Sequence, residues 1–122
     1  MGTTILCLDD EPQGLTIRKA VLEQAGYTVH TATFPDEALR LFGTERIELV
    51  ISDHLLHGTT GTRVALLMKL MNPKIPILIL SGLTETPEGI EFADSFLCKL
   101  EPPPVLLATV ARLLEGKKAA AA

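Results

Sequence analysis

The 122-residue sequence lacks tryptophan, is poor in other aromatic residues and contains only two cysteines. With one Tyr and four Phe, it offers few side chains on which the bases of single-stranded nucleic acid could stack. Two cysteines are too few for a disulfide scaffold, and we expect Cys7 and Cys98, which lie in separate apolar runs, to be buried thiols. These scarcities exclude a small disulfide-stabilised protein and argue against nucleic acid as a partner.

A strong charge imbalance and long apolar runs are also missing. Eleven Lys and Arg against fifteen Asp and Glu give a net charge of −4, which disfavours non-specific binding to nucleic acid. The first residues show no basic segment followed by an apolar one, and no apolar run is long enough to span a membrane. We therefore expect a cytoplasmic protein that binds neither nucleic acid nor membrane.

The sequence has the length and apolar content of one folded domain. Hydrophobic residues make up 47% of the chain, which is enough for a single core at this length. We expect one domain over residues 1–122, with its folded core at about 4–115 and a frayed tail at 116–122.

Short apolar runs alternate with helical patterns along the chain. The runs at 5–8, 49–51 and 77–80 are apolar at every position, as in strands buried on both faces of a parallel sheet. Residues 27–32 alternate like a strand, and 95–98 form a fifth run. Helical spacing predicts four buried faces between and after these runs: Ile17, Ala20, Val21 and Ala25; Phe34, Ala38, Leu41 and Phe42; Val64, Leu67, Met68 and Met71; and Leu106, Val110, Leu113 and Leu114. The alternation predicts a three-layer α/β fold with right-handed crossovers.

Two segments depart from regular helix and strand patterns. Residues 54–60 contain Gly58 and are expected to form an exposed loop that carries His54 and His57. Residues 83–93 contain Pro87 and Gly89, so any helix there should be short or irregular.

Polar side chains follow the strand-like runs where those runs end. Asp9 and Asp10 follow the first run and Asp53 follows the third. Ser81 closes the fourth run and Lys99 closes the fifth. Because ligands of open parallel sheets bind beyond the carboxyl ends of the strands, we expect these side chains to converge at one edge.

The expected cluster combines three carboxylates with a hydroxyl and an ammonium group. Clustered carboxylates repel one another, and a hard divalent cation such as Mg²⁺ relieves that repulsion while leaving coordination positions for water and phosphate. Ser81 and Lys99 would bind phosphoryl oxygens, and an Asp carboxylate can attack phosphorus to give an aspartyl phosphate. The pattern therefore predicts a Mg²⁺-dependent site for phosphoryl transfer.

In these motifs the sequence resembles the receiver domain of bacterial two-component response regulators, over about residues 4 to 115. The matching positions are Asp-Asp-Glu at 9–11, Asp53, Gly61 eight residues later, Ser81-Gly82, Phe96 and Lys99. The resemblance implies a CheY-like sheet of five parallel strands in the flavodoxin-like order 2-1-3-4-5. In this sequence the fourth helix would be shortened or irregular, because the stretch from Ser81 to Lys99 is short for the family.

The resemblance also assigns a role to each site residue. Asp53 would accept a phosphoryl group from the phosphohistidine of a sensor histidine kinase or a histidine phosphotransfer protein. Ser81 and Lys99 would bind the phosphoryl oxygens. The Mg²⁺ ligands would be Asp9, Asp10, Asp53 and the backbone carbonyl of Leu55.

The output implied by the resemblance is a change of protein contacts rather than turnover of a substrate. Ser81 would move towards the phosphoryl group and Phe96 would turn inward, so that phosphorylation biases a two-state element. The chain would be a stand-alone phosphoacceptor with slow self-dephosphorylation and not an enzyme. The kinase, the downstream protein and whether the chain forms a homodimer stay open.

Departures from the family pattern keep two alternatives. His57 stands four residues after Asp53, where the family usually has Pro, and Leu100 stands where Pro usually follows the lysine. A pseudo-receiver that serves only as a docking module is therefore one alternative. A phosphatase with an Asp nucleophile is less favoured, because residue 55, where the general acid would stand, is Leu.

Overall fold

A computed structural model describes residues 2–82 and 86–121, with side chains as far as residue 117. The described residues form seven strands and four α-helices in the following order: β1 (Thr4–Leu8), α1 (Pro12–Gln24), β2 (Thr28–Ala32), α2 (Pro35–Thr44), β3 (Leu49–Asp53), β4 (Leu55–Leu56), β5 (Thr59–Thr60), α3 (Gly61–Met71), β6 (Ile77–Ser81), β7 (Ser95–Cys98) and α4 (Pro103–Ala121). Within these residues, no helix is both long enough and apolar enough to cross a bilayer.

Five of the strands form one parallel sheet in the order β2-β1-β3-β6-β7. Counting only these five strands, the order is 2-1-3-4-5, so the predicted flavodoxin-like topology is confirmed. The register pairs Leu8 with Ser52, Asp53 with Leu80, and Ser81 with Cys98. All these strands therefore end at the same edge, which carries the polar residues selected from the sequence.

Alternate side chains of the sheet feed two separate cores. In β1, Leu6 and Leu8 face one cluster, which includes Ala38 of α2 and Met68 of α3. The other cluster contains the remaining apolar residues of that strand and the buried faces of α1 and α4, with members Ile5, Cys7, Leu15, Leu22, Val110 and Leu113. This two-sided burial confirms the three-layer prediction and explains why the central runs are apolar at every position.

The buried face of α1 differs from the prediction. Leu15 and Leu22 are buried, whereas Ile17 is 67% exposed, Ala20 and Ala25 are exposed and Val21 is half-buried. Leu15 and Leu22 are seven residues apart, which is two helical turns, and so they lie on one line against the sheet. Because α1 has apolar residues on two sides, the periodicity alone could not decide which side packs inward.

The same ambiguity affects α2 and α3. Ala38 and Phe42 of α2 are buried as predicted, but Phe34 precedes the helix and is 57% exposed. In α3 the buried apolar residues are Val64, Ala65 and Met68, so only two of the four predicted core positions are buried. Two predicted core residues of α3 are therefore substantially exposed, Leu67 at 47% and Met71 at 53%. The predicted face of α4 is confirmed, with Val110 and Leu113 buried and Leu106 and Leu114 half-buried.

The connections show three further features. The predicted loop at 54–60 contains the short antiparallel pair β4–β5, turned at Gly58 with φ of +73°. Of the predicted irregular segment 83–93, residues 83–85 lie outside the described part, and the rest contains only a 3₁₀ turn, Ile90–Phe92. The backbone continues α4 as far as Ala121, and Ala122 lies outside the described residues; the frayed tail expected at 116–122 stays a prediction.

Candidate phosphoacceptor site

The three predicted carboxylates meet at the carboxyl edge of the sheet. Asp53 is the last residue of β3, and Asp9 and Asp10 occupy the turn between β1 and α1. One ligand oxygen from each of the three carboxylates lies within 4.8 Å of the other two. Asp9 and Asp53 are buried, whereas the side chain of Asp10 is 31% exposed. The cluster is therefore closed from below by the sheet and open to solvent on the side of Asp10.

Lys99 joins two of these carboxylates. Its Nζ atom lies 3.0 Å from Oδ2 of Asp53 and 3.1 Å from Oδ2 of Asp9. The backbone N–H of Lys99 donates to the carbonyl of Ser81 at 2.7 Å, which continues the β6–β7 pairing by one residue. The sheet register thus fixes where this side chain starts, as the prediction from strand ends requires.

The pKa of Asp53 is raised above its ordinary value. Burial is the largest cause; the hydrogen bond and charge of Lys99 oppose it, and the charges of Asp9 and Asp10 add to it. The pKa of Lys99 is also raised, because its contacts with Asp53 and Asp9 outweigh the lowering effect of burial. Lys99 is therefore held protonated, while the negative charge of Asp53 is only partly compensated.

The negative charge of Asp9 is compensated more fully than that of Asp53. One of the compensating groups is Arg18, a residue that the sequence analysis did not identify. Burial alone would raise the pKa of Asp9, but the N–H of Glu11, the ammonium of Lys99 and the guanidinium of Arg18 outweigh burial and lower it. The Glu11 N–H donates to Oδ1 at 3.0 Å, and both terminal nitrogens of Arg18 donate to Oδ2, at 3.3 and 3.4 Å. Arg18 lies nine residues from Asp9, a separation that no helical or strand period links, so the sequence pattern offered no signal for this contact.

Gly61 determines how closely α3 approaches Asp53. A Cβ atom at this position would lie 2.2 Å from the carbonyl oxygen of Asp53. The Gly61 N–H donates to the carbonyl of His54 at 2.7 Å, and Thr60 caps the helix by accepting from the N–H of Arg63 at 3.3 Å. The glycine noted in the sequence is thus required by close packing of two backbone segments.

The two predicted switch residues lie on neighbouring strands. Ser81 ends β6 and is buried, and the sheet register pairs Ile79, two residues earlier in β6, with Phe96 of β7. Phe96 is half-buried against the core cluster on the α2–α3 side. Leu55, whose carbonyl is a predicted metal ligand, begins β4 two residues after Asp53, and its side chain is 63% exposed.

The two histidines near the site occupy different environments. His57 is exposed as predicted; its ring stacks on Phe34 with centroids 5.6 Å apart, and its Nε2 atom lies 4.0 Å from Oδ2 of Asp10. The prediction of exposure is wrong for His54, which is half-buried because its backbone still pairs with the carbonyl of Leu80 at the sheet edge. Among the described residues, its Nδ1 atom is buried without a hydrogen-bond partner.

The sequence predicted that both cysteines are buried thiols. Cys7 is fully buried, and burial raises the pKa of its thiol to about 12. Cys98 is half-buried rather than buried, because β7 is an edge strand of the sheet. Both are free thiols.

The donor set at the site fits a Mg²⁺ ion. It consists of three carboxylates whose ligand oxygens lie close together, with Asp10 facing solvent. Hard oxygen donors with an open side suit a cation that retains water and adds a phosphate oxygen. Uncompensated charge on Asp53 is the electrostatic condition that such a cation relieves.

Comparisons with known proteins agree with this fold. Residues 5–111 match the family model of the response regulator receiver domain. The chain is 32% identical over 125 residues to the alkaline phosphatase synthesis transcriptional regulatory protein PhoP of Bacillus subtilis, covering 99% of this chain and 52% of PhoP. The chain thus spans about half, or less, of the length of the curated relatives that it matches first.

Solved structures of similar size give the same result. A CheY-like receiver domain protein from Methanospirillum hungatei superposes with a TM-score of 0.90 at 25% identity, covering 98% of both chains. Response regulator TrrA of Thermotoga maritima, solved in complex with Mg²⁺ and BeF, superposes with a TM-score of 0.86 at 28% identity, covering 91% of this chain and 98% of TrrA.

The fold and the acidic edge of the sheet define a phosphoacceptor domain of two-component signal transduction. The chain belongs to the response regulator receiver domain family. Receiver domains bind Mg²⁺ at such an acidic pocket and interact with histidine kinases or phosphotransfer proteins.

Proposed function

We propose that this chain accepts a phosphoryl group on Asp53 from the phosphohistidine of a sensor histidine kinase or a histidine phosphotransfer protein. A carboxylate oxygen of Asp53 attacks phosphorus, the P–O bond forms as the P–N bond breaks, and the imidazole leaves. The observation that carries this proposal is the ion pair of 3.0 Å between Asp53 and Lys99 at the open edge of the sheet.

Lys99 has two tasks in this proposal. Before transfer its ammonium group orients the Asp53 carboxylate, and its raised pKa keeps it cationic. During transfer it neutralises charge on the phosphoryl oxygens, which is the main form of catalysis available to phosphoryl transfer. Ser81, buried one strand away, would donate its hydroxyl to another phosphoryl oxygen.

Asp9, Asp10, Asp53 and the carbonyl of Leu55 would hold Mg²⁺. When bound, the cation supplies positive charge that screens the carboxylates from the incoming phosphoryl group. Asp10 is the most accessible of the three carboxylates and would be the first point of contact for the cation. The same arrangement would allow water to hydrolyse the aspartyl phosphate slowly.

Output would pass through protein contacts of a stand-alone receiver located in the cytoplasm. The switch would run from Ser81 to Phe96 and so to the exposed side of β7. Phe96 is half-buried rather than fully buried, which leaves its ring room to change position.

The test is to add Mg²⁺ and acetyl phosphate and to measure the intact mass. We expect the mass of one phosphoryl group to be gained by the wild-type protein and by Asp36→Asn, a matched change at an exposed carboxylate of α2. Asp53→Asn should gain none. Transfer from a ³²P-labelled phosphotransfer protein should follow the same order, and labelling that survives in Asp53→Asn would refute the assignment.

A further inference from the structure

We infer that Arg18 is a built-in counter-ion that competes with Mg²⁺ for Asp9 and thereby weakens metal binding. The inference concerns the cation site of the proposed function and rests on it. Arg18 is a positioning residue in this role, because it acts on the phosphoacceptor site through Asp9.

The contact is buried and uses both ends of the guanidinium group. The side chain of Arg18 is 10% exposed and that of Asp9 is 1% exposed. Both terminal nitrogens of Arg18 point at the single oxygen Oδ2 of Asp9. An Arg that is this well buried and directed at one carboxylate is organised for that contact, unlike a surface ion pair.

Arg18 completes the coordination of Asp9 by positive groups. Oδ1 accepts the N–H of Glu11, and Oδ2 accepts from both Arg18 and Lys99. A cation that binds directly to Oδ2 must therefore displace a guanidinium or an ammonium group. Lys99 retains a second carboxylate partner in Asp53, whereas Asp9 is the only ionic partner of Arg18 among the described residues. Because the ion pair with Asp53 holds Lys99 at the site, we expect the cation to displace Arg18 and not Lys99 from Asp9.

The net charge of the site also indicates that Arg18 weakens Mg²⁺ binding. Asp9, Asp10 and Asp53 carry three negative charges, and Lys99 and Arg18 carry two positive charges, so the site has a net charge of −1. Without Arg18 the net charge would be −2. A divalent cation binds more tightly to the more negative site, because the screening at this half-open edge is incomplete.

The surroundings of Arg18 allow it to give way. Gly14 places no side chain beside Asp9, and a Cβ atom there would lie at an ordinary contact distance of 3.5 Å from Oδ2 of Asp9. A cleft of about 300 Å³ between α1 and the start of α4 borders Arg18, Ile17 and Leu106. Glu11 and Glu101 also line this cleft, so a displaced guanidinium would find other carboxylates nearby.

The experiment compares Mg²⁺ affinity by isothermal titration calorimetry, with Mn²⁺ electron paramagnetic resonance as a second measure of occupancy. Arg18→Gln removes the charge, Arg18→Lys retains it, and Lys19→Gln removes a charge from the next position of the same helix. We expect Arg18→Gln to bind Mg²⁺ about tenfold tighter than the wild type. Arg18→Lys and Lys19→Gln should stay within about threefold of the wild type, since one keeps a cation at Asp9 and the other leaves Arg18 in place.

The direction of the change separates this role from a merely structural one. If Arg18 only supported the fold, Arg18→Gln would bind Mg²⁺ equally or more weakly, and that result would overturn the inference. Should Arg18→Gln unfold without metal, Mg²⁺ is expected to restore its far-ultraviolet circular dichroism, because the cation replaces the missing charge; no recovery would count against the inference. Absence of Mg²⁺ binding by the wild type would instead overturn the proposed metal site itself.

Discussion

Neutralising Asp53, the proposed phosphoacceptor, should stabilise the metal-free protein, although it would remove the proposed function. In Asp53→Asn the side chain keeps its shape but loses the charge that burial and two neighbouring carboxylates oppose. The raised pKa of Asp53 means that the folded state binds this proton more tightly than the unfolded state does. The ionised group therefore costs stability at every pH above that raised pKa, and the cost disappears in acid.

The distances in the site give the magnitude. At the outer limit of 4.8 Å, and with an effective dielectric constant of about 20, each of the repulsions from Asp9 and Asp10 is about 3.5 kcal/mol. The attraction of Lys99 at 3.0 Å is about 5.5 kcal/mol under the same assumption. The two repulsions together exceed the attraction by about 1.5 kcal/mol before the cost of burial is added. Because burial adds to this difference, we expect Asp53→Asn to be more stable by at least about 1–2 kcal/mol, or about 3–6 °C in Tm.

Urea denaturation followed by far-ultraviolet circular dichroism, in EDTA at neutral pH, measures this difference without a tryptophan probe. The gain should shrink as the pH falls through the raised pKa of Asp53. Added Mg²⁺ should restore the wild type towards the variant, because only the wild type keeps all three carboxylate ligands. Asp94→Asn is the matched control: Asp94 accepts from Lys69 and from the N–H of Ile77, each at 2.8 Å, so its neutralisation should destabilise. A metal-free Asp53→Asn protein that is less stable than the wild type would refute the electrostatic reasoning.

Three further predictions test other parts of the structure. Lys99→Met should slow phosphorylation by acetyl phosphate by about 10²–10³-fold, since it removes the cation aimed at the transferring group, while calorimetry should still detect Mg²⁺ binding; an unchanged rate would contradict the role of Lys99. Gly61→Ala should destabilise by about 2–4 kcal/mol in urea, because its Cβ would lie 2.2 Å from the carbonyl oxygen of Asp53, and wild-type stability would show that the backbone contact is looser than described. In the native protein at pH 8, Ellman's reagent should label Cys98 but not Cys7, whose pKa is about 12; in guanidinium chloride both should react, and rapid native labelling of both thiols would contradict the burial of Cys7.

The site could be located from the sequence because strand ends are encoded locally. Apolar runs that end abruptly in Asp9, Asp53, Ser81 and Lys99 specify both the strands and the residues at their carboxyl ends. Parallel pairing then brings those ends together without any detail of side-chain packing. The functional roles of these residues remain predictions that the experiments above address.

The sequence pattern could not predict which faces of the helices are buried or that Arg18 contacts Asp9. Helix α1 carries Leu15 and Leu22 on one side and Ile17 on another, and only contact with the sheet decided that Ile17 stays 67% exposed. Arg18 lies within α1 and follows no strand end, so the sequence did not select it. Its partner Asp9 is nine residues away, across the turn between β1 and α1, and no periodic pattern links the two positions.

The sequence by itself determined the order of the strands' apolar runs and the identity of the groups at their ends, because burial on both faces leaves a signal at every position of a short segment. The tertiary structure alone decided which charges are compensated. Coulomb energies depend on distances of a few ångströms, and those distances arise from the sheet register, the close approach of α3 at Gly61 and the path of the Arg18 side chain. Asp9 and Asp53 both follow apolar runs in the sequence, yet the folded chain lowers the pKa of Asp9 and raises that of Asp53.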